Sequence, residues 1–139
     1  MASVRFFQEQ IQFKLPHPRK TSRWLKNSIL AEGKSLLEIN IIFCPDDYLL
    51  DINRRYLNHT TLTDIVTFDN SDGSDFLAGD IFISIDRVKE NASVFKVDFD
   101  TELHRVMIHG VLHLSGYSDK NSEQKIAMRE KEDTYLSLR

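Results

Sequence analysis

The sequence has little or none of what defines several classes of protein. It contains one cysteine, Cys44, so no internal disulfide can form, and a reducing compartment suits it. No run approaches the ~18 apolar residues of a membrane-spanning helix. The N-terminal segment MASVRFFQEQ lacks the apolar core of a signal peptide. Repeats and low-complexity tracts are absent. These absences exclude a disulfide scaffold, a membrane-spanning helix and a repeat architecture, and we expect a cytoplasmic protein.

Excess positive charge is missing as well. The net charge is −3, from 18 lysines and arginines against 21 aspartates and glutamates, so the chain is not a generically basic nucleic-acid binder. The positive charge is nevertheless clustered, at Arg19, Lys20, Arg23 and Lys26 and again at Arg54 and Arg55. Each cluster is either a local patch for a phosphate backbone or a solvated helix face.

Turn residues and hydrophobic periodicity divide the chain into alternating strands and helices. Strands are predicted at 4–13, 36–44, 64–68 and 77–85, with a turn at 70–74 that would make the last two neighbours. Helices are predicted from a cap at Thr21 or Ser22 to Gly33, after Pro45, from a cap at Asp86 to about Val94, and over 101–114 and 121–138. The sequence therefore predicts an α+β fold: one domain over residues 1–139, with a mixed sheet of about four strands covered by helices.

Two of these helices have distinctive apolar patterns. The helix over 101–114 is apolar nearly all round, at Val106, Met107, Ile108, Val111, Leu112 and Leu114, so we expect it to be central. The last helix is predicted to be amphipathic, with Ile126, Met128, Tyr135 and Leu136 among its apolar residues. Cys44 closes an apolar strand and is expected to be a buried structural thiol.

The stretch from His109 to Asp119 carries the clearest chemical signal. His109 and His113 stand four residues apart, which on a helix is about 40° of rotation and ~6 Å of rise, so both imidazoles leave one face. Gly116 can take the left-handed conformation that ends a helix, and Asp119 follows it closely. Two histidines and a carboxylate would hold a metal and leave a position for water, as in catalytic zinc sites. The alternative is a pair of ordinary core histidines.

Neighbouring positions on the same helix narrow the chemistry. Zinc peptidases with this histidine spacing carry a glutamate directly after the first histidine, and here that position is Gly110. The glycine indicates either a close approach to the backbone or simple packing of another element. His104 and Glu102 lie upstream, and His104 is about 140° away round the helix from His109, so we expect it to be a surface or supporting residue.

The motifs together resemble those of the YbeY family of bacterial ribosomal-RNA maturation factors. HGVLHLSGY, at 109–117, resembles the family signature. Ile52-Asn53 with Tyr56 is similar to the family's L-N-x-x-Y segment, TDIVTF at 63–68 to its T-D-V-L-S-F segment, and GDIFIS at 79–84 to its G-D-I-x-I-S strand. Met128 with Glu130 or Glu132 falls where the family has its final-helix M-x-x-x-E elements. The resemblance covers roughly residues 36–138.

The resemblance implies an α+β metalloprotein, usually with zinc, that acts around the ribosome in the bacterial cytoplasm. Its implied activity is that of a single-strand-specific endoribonuclease that matures the 3′ end of small-subunit (16S) ribosomal RNA and takes part in ribosome quality control. The expected partners are therefore ribosomal RNA and the small ribosomal subunit, and no membrane is expected.

Two departures from the family pattern concern the site. The family usually has a histidine as third ligand where this chain has Asp119, so one Zn²⁺ per chain is expected but another divalent transition metal is open. The family usually has an arginine directly after Tyr56, where this chain has Leu57, and we expect Arg54 or Arg55 to supply that catalytic charge. Exposed Tyr117 or Tyr56 could stack against a base, although half-buried packing is the other role for each tyrosine.

Two other functions stay open. One is a non-catalytic ribosome-assembly factor whose metal is structural. The other is a metal-dependent hydrolase of a different substrate, such as a peptide, against which the missing glutamate at position 110 argues. The sequence does not identify a general base.

Overall fold

The computed structural model describes residues 2–72 and 75–139. Within these ranges the elements are β1 (Ser3–Gln8), α1 (Pro18–Ala31), β2 (Ser35–Cys44), α2 (Asp46–Leu57), β3 (Ile65–Asp69), β4 (Phe76–Ser84), α3 (Ile85–Phe95), α4 (Phe99–Leu114) and α5 (Ser122–Leu136). This confirms the predicted α+β architecture. The predicted turn at 70–74 lies partly outside the described residues, since 73 and 74 are not among them.

The four strands form one mixed sheet in the order β1-β2-β4-β3. β1 pairs parallel with β2, and β2 pairs parallel with β4, while β3 is antiparallel to β4. The predicted pairing of the third and fourth strands is therefore confirmed. Helical connections follow β1 and β2, because parallel neighbours cannot be joined by a short hairpin.

Side chains on the two faces of the sheet enter two separate clusters. On one face Ile39, Ile41 and Ile81 belong to the large core that also contains the buried residues of α1 and α4. On the other face Val66 and Phe82 pack against the inner side of α2. This alternation is the period of two expected along a strand. The helices α2 and α4 therefore lie on opposite faces of the sheet.

The helix α4 is central, as predicted. All six apolar residues named for it from the sequence are buried, and so are Glu102, Leu103 and Gly110. A Cβ atom built on Gly110 would lie 2.8 Å from Ile65 Cδ1 and 3.1 Å from two carbons of Ile81, so glycine lets the helix sit close to β3 and β4. Close packing is thus the physical reason for this glycine. No helix in the two described ranges is long and apolar enough to cross a membrane.

The predicted helix starts are partly wrong. Thr21 and Ser22 lie inside α1, which begins at Pro18 because the fixed φ of proline suits the first helical position. At the start of α3 the cap is Ser84, whose hydroxyl accepts a hydrogen bond from the Arg87 backbone N–H, and not Asp86. The Asp86 carboxylate instead accepts from the backbone N–H of residue 46, at the start of α2.

Two further elements differ from their predicted form. β1 ends at Gln8 rather than at 13, because the chain leaves the sheet there and the Gln8 side chain accepts a hydrogen bond from the backbone N–H of Phe13. α5 is amphipathic only in part: Met128, Tyr135 and Leu136 pack on the core as predicted, but Ile126 is 60% exposed and Glu132 is buried. A buried glutamate takes the place of an apolar side chain.

Candidate metal centre

The loop after α4 turns the chain back onto the helix that precedes it. Gly116 has a φ of +110°, and its N–H donates to the His113 carbonyl at 3.0 Å. The N–H of Tyr117 donates to the Leu112 carbonyl, also at 3.0 Å. This pair of bonds is the Schellman arrangement, which needs a left-handed residue where the glycine stands. The predicted helix end is confirmed, and the turn returns Asp119 to the end of the helix.

Three side chains meet at this point. His109 Nε2 and His113 Nε2 lie 2.9 Å apart, and Asp119 Oδ2 lies 3.3 Å from the first and 3.4 Å from the second. Ligand atoms around a tetrahedral zinc at ~2.0–2.2 Å are roughly 3.3–3.5 Å apart. Both edges to the carboxylate fit this spacing, and the edge between the histidines is somewhat shorter. The group could therefore hold a metal ion, and the sequence pattern that predicted these three residues together is matched by their geometry.

The far side of each imidazole is held by an acceptor. His109 Nδ1 donates to Glu132 Oε2 at 2.6 Å, and His113 Nδ1 donates to the Tyr117 carbonyl at 3.1 Å. Because the carbonyl and the carboxylate accept, both Nδ1 atoms carry protons, and the two Nε2 atoms face each other at hydrogen-bond distance. Two Nε2 atoms this close need either a shared proton or a cation between them. Metal-ligating histidines usually donate their other ring N–H to a carboxylate or a backbone carbonyl in this way, which fixes the orientation of the ring.

Glu132 is itself fixed by a buried ion pair. Arg105 Nη1 donates to Glu132 Oε1 at 3.0 Å, and Arg105 Nη2 donates to Asp133 Oδ1 at 2.7 Å. The Glu132 side chain is only 6% exposed. Burial alone would lower the pKa of His109, but the hydrogen bond and charge of Glu132, helped by Asp119, raise it above its usual value. The position of Glu132 on α5 therefore orients His109, a candidate metal ligand on α4.

The group opens onto a cleft of about 360 Å³ between α3, α4 and α5. Four carboxyl groups line it or reach it: Asp64, Glu102, Asp119 and Glu132. Burial raises the pKa of Asp64, and burial together with the charge of Asp64 raises the pKa of Glu102. Three cations share the cleft, namely Arg105, Lys125 and Arg129. The cleft thus joins the candidate metal-binding group of His109, His113 and Asp119 to two carboxyls, those of Asp64 and Glu102, that hold protons more readily than usual.

The two tyrosines considered for base stacking are placed differently. Tyr117 is half-buried, its hydroxyl donates to Glu32 Oε1 at 2.6 Å, and Lys131 Nζ lies 5.8 Å from its ring centre. Glu32 also accepts from the Tyr135 hydroxyl and from Lys131. This network ties the end of α1 to α5 and to the loop after α4. Tyr56 is exposed, with its ring edge-on to Phe68.

Arg54 and Arg55 lie apart from the metal-binding group. Both are exposed on α2, on the opposite face of the sheet from α4. Arg55 Nε lies 3.1 Å from Asp51 Oδ2, one turn back on the same helix. Neither arginine lines the cleft beside the metal-binding group. A role for either in phosphate binding stays a prediction.

His104 and the cysteine lie outside the group, as expected. His104 packs against Trp24 with ring centres 5.4 Å apart, and Arg139 Nη1 donates to its Nδ1 at 2.7 Å. Burial and the Arg139 charge lower the pKa of His104 to about 4. Cys44 is buried, and burial with the nearby charge of Asp46 raises its pKa to about 12.

Several residues of the site escaped prediction from the sequence. Glu132 belongs to one of the motifs that resemble the family, but the 23 residues that separate it from His109 hide the contact between them. Asp64 belongs to the TDIVTF segment, and its polar side chain just before an apolar strand was the available signal. Lys125 and Arg129 carry no signal beyond their four-residue spacing on a helix.

Comparisons with known proteins agree with the motifs and the fold. The model of the family "Endoribonuclease YbeY" matches residues 4–138. A protein named Endoribonuclease YbeY from Flavobacterium psychrophilum is 54% identical over 132 residues, which is 95% of this chain and 94% of the relative. A protein of the same name from Cytophaga hutchinsonii is 50% identical over 137 residues, 99% of this chain and 96% of the relative. A solution structure of a protein from Thermotoga maritima superposes with a TM-score of 0.65 at 28% identity, covering 96% of this chain and 87% of the other. The chain belongs to the YbeY endoribonuclease family.

Proposed function

We propose that the protein is a metal-dependent, single-strand-specific endoribonuclease that matures the 3′ end of 16S ribosomal RNA and takes part in ribosome quality control. The observation that carries the proposal is the group of His109, His113 and Asp119 at the edge of an open cleft. The family to which the chain belongs is named for endoribonuclease activity. Ribosomal RNA and the small ribosomal subunit are the partners that this function requires.

Exposure of the metal-binding group favours catalysis over a purely structural metal. The side chains of His109, His113 and Asp119 are 22%, 27% and 38% exposed. Structural zinc sites have four protein ligands and are closed, whereas catalytic sites have three and keep one position open. Within the described part of the chain, the group has three such residues. A scaffold role for the metal in ribosome assembly is therefore the weaker alternative.

The packing of α4 disfavours a peptidase. Zinc peptidases place their general base on the residue after the first histidine. Here that residue is Gly110, and even a Cβ atom would lie 2.8 Å from Ile65 Cδ1. No acidic side chain can occupy this position without moving α4 away from the sheet. The carboxyl groups available for proton transfer lie instead on the cleft wall.

The chain's own residues supply orientation and proton transfer. A bound divalent metal would supply Lewis-acid polarisation of the phosphoryl group. Glu132 and the Tyr117 carbonyl hold the two imidazoles with Nε2 towards that position. Asp64 lines the same cleft, and because burial raises its pKa, its carboxyl is suited to exchange a proton with water or with a leaving oxygen. We propose Zn²⁺ as the metal, with a harder divalent ion as the alternative that the Asp119 carboxylate permits.

Charge on the phosphate must also be neutralised. Arg54 or Arg55 is proposed for this contact because the position after Tyr56 is Leu57 rather than arginine. Since α2 lies on the other sheet face, such a contact would involve RNA that extends beyond the cleft. It would therefore strengthen binding rather than act on the reacting atoms.

The decisive experiment is cleavage of precursor 16S ribosomal RNA by the purified, metal-replete protein. We expect cleavage in the single-stranded 3′ region and none in a duplex of the same sequence. His113→Ala should abolish cleavage and lower the bound metal, while Ser118→Ala, an exposed neighbour outside the group, should do neither. Equal cleavage by the His113→Ala protein, or metal-dependent hydrolysis of a peptide but not RNA, would refute the proposal.

A further inference from the structure

The wall of the cleft formed by α3 and α5 carries side chains for which no role has been given. Phe95, the last residue of α3, lines the cleft and is 55% exposed. Lys125 and Arg129, in the first half of α5, line the same cleft. We propose that this wall is a single-strand RNA subsite, in which a base stacks on Phe95 and the adjoining phosphates bind Lys125 and Arg129. The inference rests on the proposed function, since it assigns how that substrate is held beside the metal-binding group.

The aromatic ring is the first argument. Phe95 is 55% exposed at the rim of a polar cleft, so more than half of its surface is open to a ligand. Every nucleobase presents a flat face, so stacking on an aromatic ring binds single strands without regard to sequence. A base paired within a duplex is already stacked on both sides and cannot use the ring. The position of Phe95 would thus provide a preference for single strands that the metal-binding group alone does not.

The state of the three cations in the cleft is the second argument. Arg105 is committed to Glu132 and Asp133 in the ion pairs described above and is only 17% exposed. Lys125 and Arg129 are exposed, and neither lies within 4.0 Å of a carboxylate of any described residue, although the charge of Arg129 acts on Glu102 from a greater distance. They are four residues apart on one helix, so their side chains leave the same face, with Cβ atoms about 6 Å apart. Two available cations in a row suit successive phosphates of an extended strand.

The balance of charge in the cleft points to a polyanion held together with a metal. Four carboxyl groups face three cations there, so the formal charge of the cleft without a metal does not favour a polyanion. A divalent cation on His109, His113 and Asp119 would reverse the sign. An RNA strand would then be held at one end by the metal and along its backbone by α5. Affinity for RNA should accordingly require the metal as well as Lys125 and Arg129.

The test is equilibrium binding of the full-length, zinc-loaded protein to a fluorescein-labelled oligouridylate decamer, followed by anisotropy over a salt series. The length of the RNA is checked on a gel after each titration. Phe95→Ala should weaken binding by roughly 5- to 160-fold, which corresponds to the ~1–3 kcal/mol of base–aromatic stacking. Phe95→Tyr, which keeps the ring, should bind like the original protein, and Phe95→Leu, which keeps only apolar bulk, should not. Val94→Ala removes an exposed apolar neighbour that does not line the cleft and should have no effect.

The roles of Lys125 and Arg129 are tested by the salt dependence of RNA affinity. Lys125→Ala/Arg129→Ala should lower the slope of log affinity against log salt by roughly 0.7 per lost phosphate contact, about 1.4 in all. Arg19→Ala/Lys26→Ala is the matched control, because it removes the same charge from a groove between β1 and α1. Zinc content is measured for every variant.

Three results would overturn the inference. They are an unchanged affinity in Phe95→Ala, an unchanged slope in the α5 double variant, and an equal loss in the α1 double variant. A polyglutamate peptide of the same charge is the further probe, and equal binding of it would mean that the cleft takes acidic peptides instead. Cleavage assays separate the two proposals. If the protein binds RNA in this way but never cuts it, the endoribonuclease function is refuted and the RNA subsite is retained. If Phe95→Ala cuts and binds RNA normally, the subsite is refuted and the endoribonuclease function is retained.

Discussion

The contact between Glu132 and His109 allows a sharp test of how α5 supports the metal-binding group. The Glu132 carboxylate accepts two hydrogen bonds, from Arg105 on one oxygen and from His109 on the other, at 3.0 and 2.6 Å. The amide of a Glu132→Gln variant has one accepting oxygen, so its NH₂ group must face one of these donors. Either His109 loses the acceptor that fixes its tautomer, or Arg105 loses its partner. Loss of a supporting acceptor costs roughly 10- to 100-fold in metal affinity, which is about 1.4–2.8 kcal/mol.

The affinity is best measured by competition with a chromophoric zinc chelator at neutral pH. Asp133→Asn is the matched control, because Asp133 also accepts from Arg105 but does not contact His109, and its side chain is 59% exposed. We expect its zinc affinity to stay within about twofold of the unsubstituted protein. Thermal unfolding of the metal-free proteins shows whether either change acts through the fold. A Glu132→Gln protein that folds normally and binds zinc as tightly as the Asp133→Asn protein would refute the proposed role.

Three further predictions concern the ligands and the charges around them. Asp119→Ala should weaken zinc binding, as measured by the same competition assay. Asp119→His should tighten it, because imidazole replaces a weaker zinc donor. Unchanged zinc affinity in both variants would exclude Asp119 as a ligand. Arg54→Ala and Arg55→Ala should each be compared for RNA affinity, and if either contacts a phosphate the salt slope falls by roughly 0.7, whereas two unchanged slopes would leave α2 outside the RNA-binding surface. Burial raises the pKa of Glu32, but hydrogen bonds from two tyrosines and a lysine outweigh it and lower the pKa overall. The stability from Glu32 should therefore be complete above its unfolded pKa of about 4.3 and be lost as the pH falls through its folded pKa, and a pH series of unfolding should lose this step in Glu32→Gln.

What the sequence could predict follows from the range of the interactions involved. His109, His113 and Asp119 lie within eleven residues, and helix periodicity and one glycine turn are enough to bring them together. The start of α1 was missed because a capping threonine or serine is a weaker local signal than a proline that can itself open the helix. Residues that act across the chain were beyond reach, since no periodicity links Glu132 to α4.

The packing of α5 also could not be predicted fully from the sequence. An amphipathic helix was predicted from four apolar residues, but Ile126 faces solvent and a glutamate is buried on the inner face. Pattern recognition assumes that helices dock by apolar contacts. Where a buried charged residue is paired with residues on another helix, the hydrophobic pattern predicts the wrong buried face. Arg105 and His109 supply those partners, and neither is visible as such before the fold is known.

The polar attachment of α5 has a consequence for how the molecule opens. Met128 and Tyr135 are the only fully buried apolar residues of this helix, with Leu136 partly buried against the core. Its amide protons should therefore exchange with solvent through partial detachment, well below the cost of global unfolding. An ion that immobilises His109 also immobilises its partner Glu132, and a ligand present at a thousand times its dissociation constant stabilises the state that binds it by about 4 kcal/mol. Zinc should therefore slow hydrogen exchange along a helix that contributes no ligand to it. Zinc occupancy of the centre should therefore be detectable near the C-terminus, as slower hydrogen exchange of the backbone amides around Tyr135.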